Sequence, residues 1–497
     1  MGEDYNWVII LNASSVAAQA QTFWSMNDRN PLSPWWYIIA QYLYMGLPNG
    51  PLLTRLAMNP LLAISAYVMV RCLAPVSGRG LALSVGILVA CWTFSTTVDQ
   101  IYWNFLGALA LTMLCIASFA VWSNRAGREA TGWYGISLCL WFAAFATYTF
   151  QVGAILAVSV LVIAYTSLNK ISISKSIGEL ARIVTPFAVI LALFILIWTT
   201  ARNPLMSDYY NLNINVLFTN LIPSLYSGLS PVRYFGFANV AFASMGFWAL
   251  VPSVLTAILV GGGIYSLIRA TVPSVREAVS VLCVAFCIIL PTVLIESMSS
   301  TWSVGMRWVM VDQVWQPLLW LSVTYWITAI WPFLRLAFAF ITGAMAACVM
   351  LLSLGHNVAQ NRAAVYEVAL REGSRQIAAN WIGRLPLHII ILMEEGTRPD
   401  VMNIRIAPVW FGGRSVTLRT LWRGSAPPEA AHAGWWDVVF DDNGVRNVAI
   451  GGGAAPYDQV AIARFDGREV RLVDVLRPED VIGFPVRWQR SGPLSPR

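Results

Sequence analysis

Over most of this chain apolar residues run on rather than alternate with polar ones. Ten apolar stretches stand out between Leu56 and Leu354: Leu56–Cys72, Leu81–Thr97, Ile101–Trp122, Trp133–Thr149, Val152–Leu168, Leu180–Thr200, Phe247–Ile268, Ala278–Ile295, Trp308–Trp331 and Phe333–Leu354. Runs of this length read as membrane spans. The fourth and fifth are separated only at Tyr148–Gly153, and Pro291 is the clearest interior break. A shorter apolar segment, Pro34–Gly46, carries Trp35, Trp36, Tyr37, Tyr42 and Tyr44 and reads as an interfacial helix in the aromatic belt. Tyr5–Trp24 is long enough to span, but it holds Asn12, Ser14, Ser15, Gln19 and Gln21 and reads as an extracytoplasmic helix.

After Leu354 the period changes. His356–Leu385 is polar with Val358, Val365, Val368, Ile377 and Trp381 at helical spacing. Leu387–Met393 is a buried-strand candidate, followed by short runs (SVTLRTLW, WWDVVF, QVAIARF, REVRLVDV) between Gly, Pro and Asp-Gly turns. The expected organisation is a first outer loop with interfacial helices (1–50), a helical bundle (51–354), a small α+β, mostly β domain (355–490) and a tail expected to be disordered (491–497). The fold class is thus a polytopic α-helical membrane protein of about ten spans with a C-terminal extracytoplasmic domain.

Composition sharpens this division. Only 11% of the residues are charged, against about a quarter in soluble chains. Fifteen Lys/Arg and ten Asp/Glu lie up to Leu354; the shorter remainder holds 17 and 15. The net charge of +7 is scattered among apolar segments, which is no nucleic-acid signature. Arginine and lysine instead orient the chain. One alternating set of loops carries Arg71, Arg79, Arg125, Arg128, Lys170, Lys175, Arg182, Arg269, Arg276 and Arg335; the other carries Arg29, Arg55, Arg202, Arg233 and Arg307. The first set is therefore cytoplasmic, and both chain ends are outside. An N-terminus outside needs a leader or an earlier span, so an upstream membrane helix is expected.

Soluble-enzyme motifs do not occur. There is no Walker loop and no GxSxG, and His356, His388 and His432 lie far apart. The cysteines Cys72, Cys91, Cys115, Cys139, Cys283, Cys287 and Cys348 sit in or beside apolar segments and read as packing residues. Gly261–Gly263 reads as close helix packing and Gly451–Gly453 as a turn.

The remaining candidates share the outer face. Glu3 and Asp4 lie at the start of the chain; Asp28 and Arg29 precede the interfacial helix. Asp99 and Gln100, with Tyr102, Trp103 and Asn104, open a span. Gln151 lies between two spans, and Arg202, Arg233 and Arg307 supply cations. Carboxylates and arginines beside lipid suit a lipid-phosphate sugar donor. A carboxylate deprotonates an acceptor hydroxyl, and arginine pairs with the phosphate leaving group.

Several short motifs then carry a family resemblance: Glu3-Asp4-Tyr5-Asn6-Trp7, Asp28-Arg29-Asn30-Pro31-Leu32-Ser33-Pro34, Arg55-Leu56-Ala57-Met58-Asn59 and the turn Asp99-Gln100-Ile101-Tyr102-Trp103. With Arg307 before a late span and the soluble tail, the chain from Gly2 to Met393 resembles the GT-C superfamily of integral-membrane glycosyltransferases, especially bacterial O-antigen-glucosylating members. The resemblance implies catalysis by Asp4 or Glu3 and a polyprenyl-phosphate-linked sugar donor. It implies transfer to a cell-envelope glycan or lipid, such as a lipopolysaccharide, on the outer face of the bacterial inner membrane. The substrate-binding positions it implies are Asp28, Arg29, Asp99, Gln100, Tyr102, Trp103, Gln151, Arg202, Arg233 and Arg307. A divalent metal is left open, and no metal ligand is assigned. The chain departs from the pattern in three ways: no first span precedes the acidic pair, Gln151 stands where an acidic residue is usual, and Asp28 and Asn30 alter the Gly-Arg-Pro element. Two other readings stand beside this one: a transporter or flippase of lipid-linked glycans, and a non-catalytic scaffold whose tail binds an envelope partner.

Overall fold

The computed structural model describes Leu32, Trp35, Trp36 and Ile39, and then residues 50–76, 78–93, 103–124, 128–147, 153–168, 173–200, 214–221, 235–270, 274–297, 306–394, 416–423, 438–448 and 454–494. The described residues fall into two compact units that divide between His356 and Asn357.

Each of the ten apolar stretches falls on a helix. These are α1 (Gly50–Leu73), α2 (Arg79–Thr93), α3 (Trp103–Asn124), α4 (Arg128–Thr147), α5 (Gly153–Leu168), α6 (Ile173–Thr200), α8 (Leu250–Ala270), α9 (Val275–Ser297), α10 (Met306–Ile330) and α11 (Arg335–Ala379); the short α7 (Phe235–Met245) precedes α8. Four described segments are long and apolar enough to cross a membrane: Gly107–Asn124, Ser174–Leu196, Ala238–Ala270 and Pro332–Gly355. The chain is thus a polytopic helical membrane protein. α4 ends at Thr147 and α5 begins at Gly153, on either side of the break expected from the sequence. Pro291 does not break its helix: α9 runs through it, as α1, α6 and α10 run through Pro60, Pro186 and Pro317. Neighbouring helices can re-satisfy the backbone groups that a proline frees in lipid. Beside Pro186, the Tyr134 hydroxyl donates to the Ile183 carbonyl at 2.8 Å and Trp141 Nε1 donates to the Phe187 carbonyl at 3.2 Å, tying α6 to α4.

Side-chain pairing fixes the helix directions. Cys115 meets Ser137, and Trp122 packs on Tyr134, so α3 and α4 are antiparallel. Tyr134 with Ile183, Trp141 with Phe187 and Phe145 with Phe194 make α4 and α6 parallel. Ser84 shares a hydrogen bond of 2.9 Å with Tyr325 between α2 and α10. The helices alternate up and down, with two buried clusters: an aliphatic one centred on α1, α2, α3, α9 and α10, and an aromatic one around Phe119, Trp141, Phe145, Phe187 and Phe194. Lipid gives helices no hydrophobic reason to associate, so close packing through small residues matters. Within Gly261–Gly263 only the first glycine does this: a Cβ there would meet the Ala339 carbonyl oxygen at 3.1 Å, whereas Gly262 and Gly263 face open space. Across the same α8–α11 crossing a Cβ on Gly343 would lie 2.6 Å from the Ala257 carbonyl oxygen.

The second unit builds on the last part of α11. The polar helix expected from His356 onward is not a separate element, since α11 continues from Arg335 to Ala379 without interruption. Strands β1 (Leu387–Met393), β2 (Val416–Trp422) and β6 (Val460–Phe465) pair in parallel, and β7 (Val470–Leu472) adds antiparallel, in the order β2-β1-β6-β7. β1 is central and buried on both faces, which explains its unbroken apolar sequence. Leu387, Ile389, Ile391 and Met393 face Leu370 and Ile377 of the helix. Ile390 and Leu392 face a second sheet, ordered β5-β4-β3-β8, made of β3 (Val438–Asp441), β4 (Gly444–Arg446), β5 (Ala454–Ala455) and β8 (Val486–Trp488). The Arg419 guanidinium, almost fully buried, donates to the Asn447 carbonyl between the two sheets. Order extends past the expected start of the tail: Leu494 is buried and exchanges backbone hydrogen bonds of 2.7 and 2.8 Å with Leu476. At the β6–β7 turn, Asp466 Oδ1 accepts the N–H groups of Arg468 (2.9 Å) and Glu469 (3.1 Å). These bonds, the one from Glu469 foremost, hold its carboxyl below the ordinary range.

Two expectations follow. Gly343→Leu should destabilise the detergent-solubilised protein by about 1–3 kcal/mol, the usual cost of overpacking; Gly262→Ala, with nothing to meet, should not lower the thermal midpoint. Because the folded carboxyl value of Asp466 is depressed, its contribution is fully present above the unfolded value and lost as pH falls through the folded one. Hydrogen exchange of the 466–470 amides should therefore show greater protection in the wild type than in Asp466→Asn at neutral pH, with the difference closing in acid.

Candidate functional site

The acidic, amide and arginine candidates named from the sequence fall largely outside the described residues. That holds for Glu3, Asp4, Asp28, Arg29, Asp99, Gln100, Tyr102, Gln151, Arg202 and Arg233. Trp103 and Arg307 are described as backbone: they are the first residue of α3 and the second of α10. The helices that flank these positions are described, and their directions bring the relevant ends together. Trp103 of α3, Thr147 of α4, Gly153 of α5, Thr200 of α6, Ser297 of α9 and Met306 of α10 all lie at one end of the up-and-down bundle. The described members of the basic set, Arg71, Arg79, Arg128, Lys175, Arg182, Arg269, Arg276 and Arg335, lie at the other. There Arg71 donates to the Ala74 and Pro75 carbonyls, and Glu277 at the start of α9 accepts the Val76 N–H at 2.9 Å.

Three docked segments organise the first end. Trp36 is the earliest. Its Nε1 donates to Thr147 Oγ1 at 3.1 Å, and that hydroxyl donates on to the Ala143 carbonyl at 2.7 Å. The Leu32 N–H caps α4 by donating to the Ala146 carbonyl at 2.8 Å, one of the carbonyls a helix end leaves without an intrahelical partner. The indole lies over Gly107 of α3, where a Cβ would come within 2.8 Å of the ring. The Pro34–Gly46 segment was expected to sit in the lipid interface; Trp35 and Ile39 are indeed exposed, but Trp36 turns inward onto the bundle. The second docking point is Gly153 at the start of α5. A Cβ there would lie 2.6 Å from Ile288 Cα and 2.7 Å from the Cys287 carbonyl oxygen, so two helix backbones touch. The third is in the long loop between α6 and α7, where Asn220 Nδ2 donates to the Ser297 carbonyl at the end of α9, 3.2 Å away.

Two of the three docked segments are close sequence neighbours of candidate residues. Leu32 follows Asp28-Arg29, Gly107 follows Asp99-Gln100, and Gly153 follows Gln151. None of Trp36, Gly107, Thr147, Gly153 and Asn220 was singled out as functional from sequence. A threonine at the end of an apolar run and a lone glycine carry no local signal; only the three-dimensional contact distinguishes them. Among the described residues no group of three or more His, Cys, Asp or Glu is placed to hold a metal ion, and the cysteines are free thiols.

No protein-family model and no curated protein matches the chain. Two solved structures are similar, both of ArnT from Cupriavidus metallidurans. The apo structure shares 13% identity over 84% of this chain and 81% of that one, with a TM-score of 0.41. The structure bound to undecaprenyl phosphate shares 11% over 85% and 84%, with a TM-score of 0.39. At that level of likeness the chemistry of this chain rests on its own residues.

The sidedness is directly testable. In a cysteine-free background, Gln151→Cys and Asp99→Cys should react with a membrane-impermeant maleimide on spheroplasts, and Thr271→Cys only after permeabilisation. The reverse pattern would invert the bundle.

Proposed function

We propose that this protein is a membrane glycosyltransferase of the GT-C kind. It moves a hexose from a polyprenyl-phosphate donor to a cell-envelope glycan or lipid, lipopolysaccharide O-antigen being the acceptor class the motifs favour. It acts on the periplasmic face of the inner membrane, where its C-terminal domain also lies. The observation that carries this reading is the gathering, at the end of the bundle away from the arginine-rich turns, of the helix ends that flank the acidic, amide and arginine candidates.

The chemistry follows from those residue types. Asp4 or Glu3 removes the proton of an acceptor hydroxyl as its oxygen attacks the anomeric carbon. The anomeric C–O bond breaks, and the electron pair leaves on the polyprenyl phosphate. Arg307 stands in the first turn of α10, where the helix dipole opposes a cation. A phosphate at that position relieves the opposition and is held by both the guanidinium and the helix end. Asp28, Arg29, Asp99, Gln100, Tyr102, Trp103, Gln151, Arg202 and Arg233 are the proposed substrate-binding positions. The bilayer holds the isoprenoid tail. No step is routed through a metal.

Transport is the weaker reading. Transport paths carry ionisable groups within the spans. Among the described residues, the buried polar side chains of the bundle are hydroxyls and the amide of Gln316, with no buried Asp, Glu, Lys, Arg or His.

Glu3→Gln/Asp4→Asn should lower transfer by at least about 100-fold, within the range general-base catalysis supplies, while leaving membrane insertion intact. Wild-type turnover in that double variant, measured as product per donor consumed, would remove both carboxylates from the mechanism.

A further inference from the structure

In the second unit the apolar layer between the two sheets ends in charge. Ile390 and Leu392 of β1, Leu421 of β2 and Ile462 of β6 face the second sheet. The period of two along a strand puts the next side chains on that face at Glu394, Arg423 and Arg464. Three neighbouring parallel strands thus bring one carboxylate and two guanidinium groups together at their carboxyl ends. Arg423 Nε lies 2.7 Å from Glu394 Oε2, and Arg464 approaches Glu394 Oε1 at 3.9 Å. The Arg423 backbone N–H donates to the Met393 carbonyl at 3.0 Å, which fixes the register of this layer. A strap crosses it, made of the turn Pro478–Val481 and the residues up to Phe484. Asp480 Oδ1 pairs with Arg464 at 2.7 Å, and the Ile482 carbonyl accepts from Arg423 at 2.8 Å. Arg423 also lies over the Phe484 ring. Gly483, at φ +84°, lets the strap come close: a Cβ there would lie 3.2 Å from Arg423 Cγ.

The place is also distinguished by topology. The strand order is β2-β1-β6-β7, so the chain leaves β1 to one side for β2 and returns to its other side for β6. In open sheets of parallel strands, ligands bind outside the carboxyl ends at such a point. From the charge layer and the topology together we infer that Arg423 and Arg464 form a cradle for the phosphate group of a phosphorylated sugar, with Glu394 filling the cradle between occupants. Guanidinium forks match the geometry of phosphate as they do that of carboxylate. The side chains of Arg423, Arg464, Glu394 and Asp480 are each about a third exposed, and ion pairs so exposed contribute little to stability. A phosphate monoester carries more charge and more acceptor oxygens than a carboxylate, so it displaces the single charge of Glu394, which stands one residue past its strand. Asp480 stays on Arg464 and on the Arg477 N–H. That a sugar carries the phosphate rests on the glycosyl-transfer reading; the anion site itself does not.

The test uses the full chain in non-ionic detergent, with a hexose 6-phosphate as probe. Calorimetry gives its Kd, and hydrogen exchange of the 477–484 amides reports the strap. In the wild type the probe should bind and alter exchange in the strap; the unphosphorylated hexose should do neither. Arg423→Gln and Arg464→Gln should each abolish binding. Arg423→Lys should weaken it, because the charge stays while the fork is lost. Glu394→Gln separates the cradle from a simple brace. It removes the competing charge, so the probe should bind at least about fivefold more tightly, the effect of one unit charge about 4 Å away in water. A network that only braces the strap predicts a looser strap in that variant and no gain in affinity. Unchanged affinity in Glu394→Gln, or binding that survives both arginine-to-glutamine substitutions, overturns the cradle. Equal Kd values for inorganic phosphate and the hexose 6-phosphate overturn the sugar as its ligand. Binding as expected in a protein that transfers no sugar keeps the cradle and overturns the glycosyltransferase reading instead.

Discussion

The bundle depends on backbones that touch. In lipid, apolar side chains gain nothing by leaving one apolar solvent for another, so helices associate through close van der Waals approach and shared hydrogen bonds. Gly153 against Ile288, Gly343 against Ala257 and Gly107 under Trp36 are three such approaches, and each has no room for even a methyl group. The hydroxyl ties Ser84–Tyr325 and Trp36–Thr147 work alongside them. Two of the three glycine contacts lie at the same end of the bundle. These two close approaches fix helix ends that flank the candidate residues in the chain.

That end contrasts with the opposite one. Cations at the arginine-rich end are used locally: Arg71 closes on the carbonyls that end its own turn, and Glu277 ties the α1–α2 turn to α9. These are contacts that hold a turn in place. At the other end the described contacts are between helix backbones and docked segments, and they leave acidic, amide and arginine residues in the connecting chain. The division fits a protein whose chemistry is confined to one membrane face. A reaction with a polyprenyl-phosphate donor needs such a face, because the tail is in the bilayer while the sugar and its acceptor are in water.

The sequence announced the helices well and the contacts poorly. Long apolar runs located every helix of the bundle except the short α7, because length and hydropathy are properties of a single segment. The alternating arginines predict its direction across the membrane for the same reason. β1 was legible as LHIIILM because a strand buried on both faces needs no alternation, whereas β4, β5 and β8, two or three residues long, lack the length to show any period. The tail was misread at Leu494, whose partner Leu476 is distant in sequence. The continuity of α11 was missed because composition changes at its middle while backbone geometry does not. Trp36 was legible as an interfacial aromatic but not as an inward one; only its partners distinguish it from Trp35. The candidate carboxylates and arginines came from their shared outer loops and from motif resemblance, and the described contacts bear on their neighbours in the chain.

The most direct test of one-sided, lipid-linked sugar transfer is the fate of the donor. Purified wild-type protein is reconstituted with polyprenyl-phosphate sugars, labelled in the sugar and presented on the periplasmic face, together with an envelope-glycan fraction as acceptor. The account predicts stoichiometric appearance of free polyprenyl phosphate and labelled acceptor. Movement of intact labelled donor to the opposite leaflet, with no polyprenyl phosphate released, would contradict it.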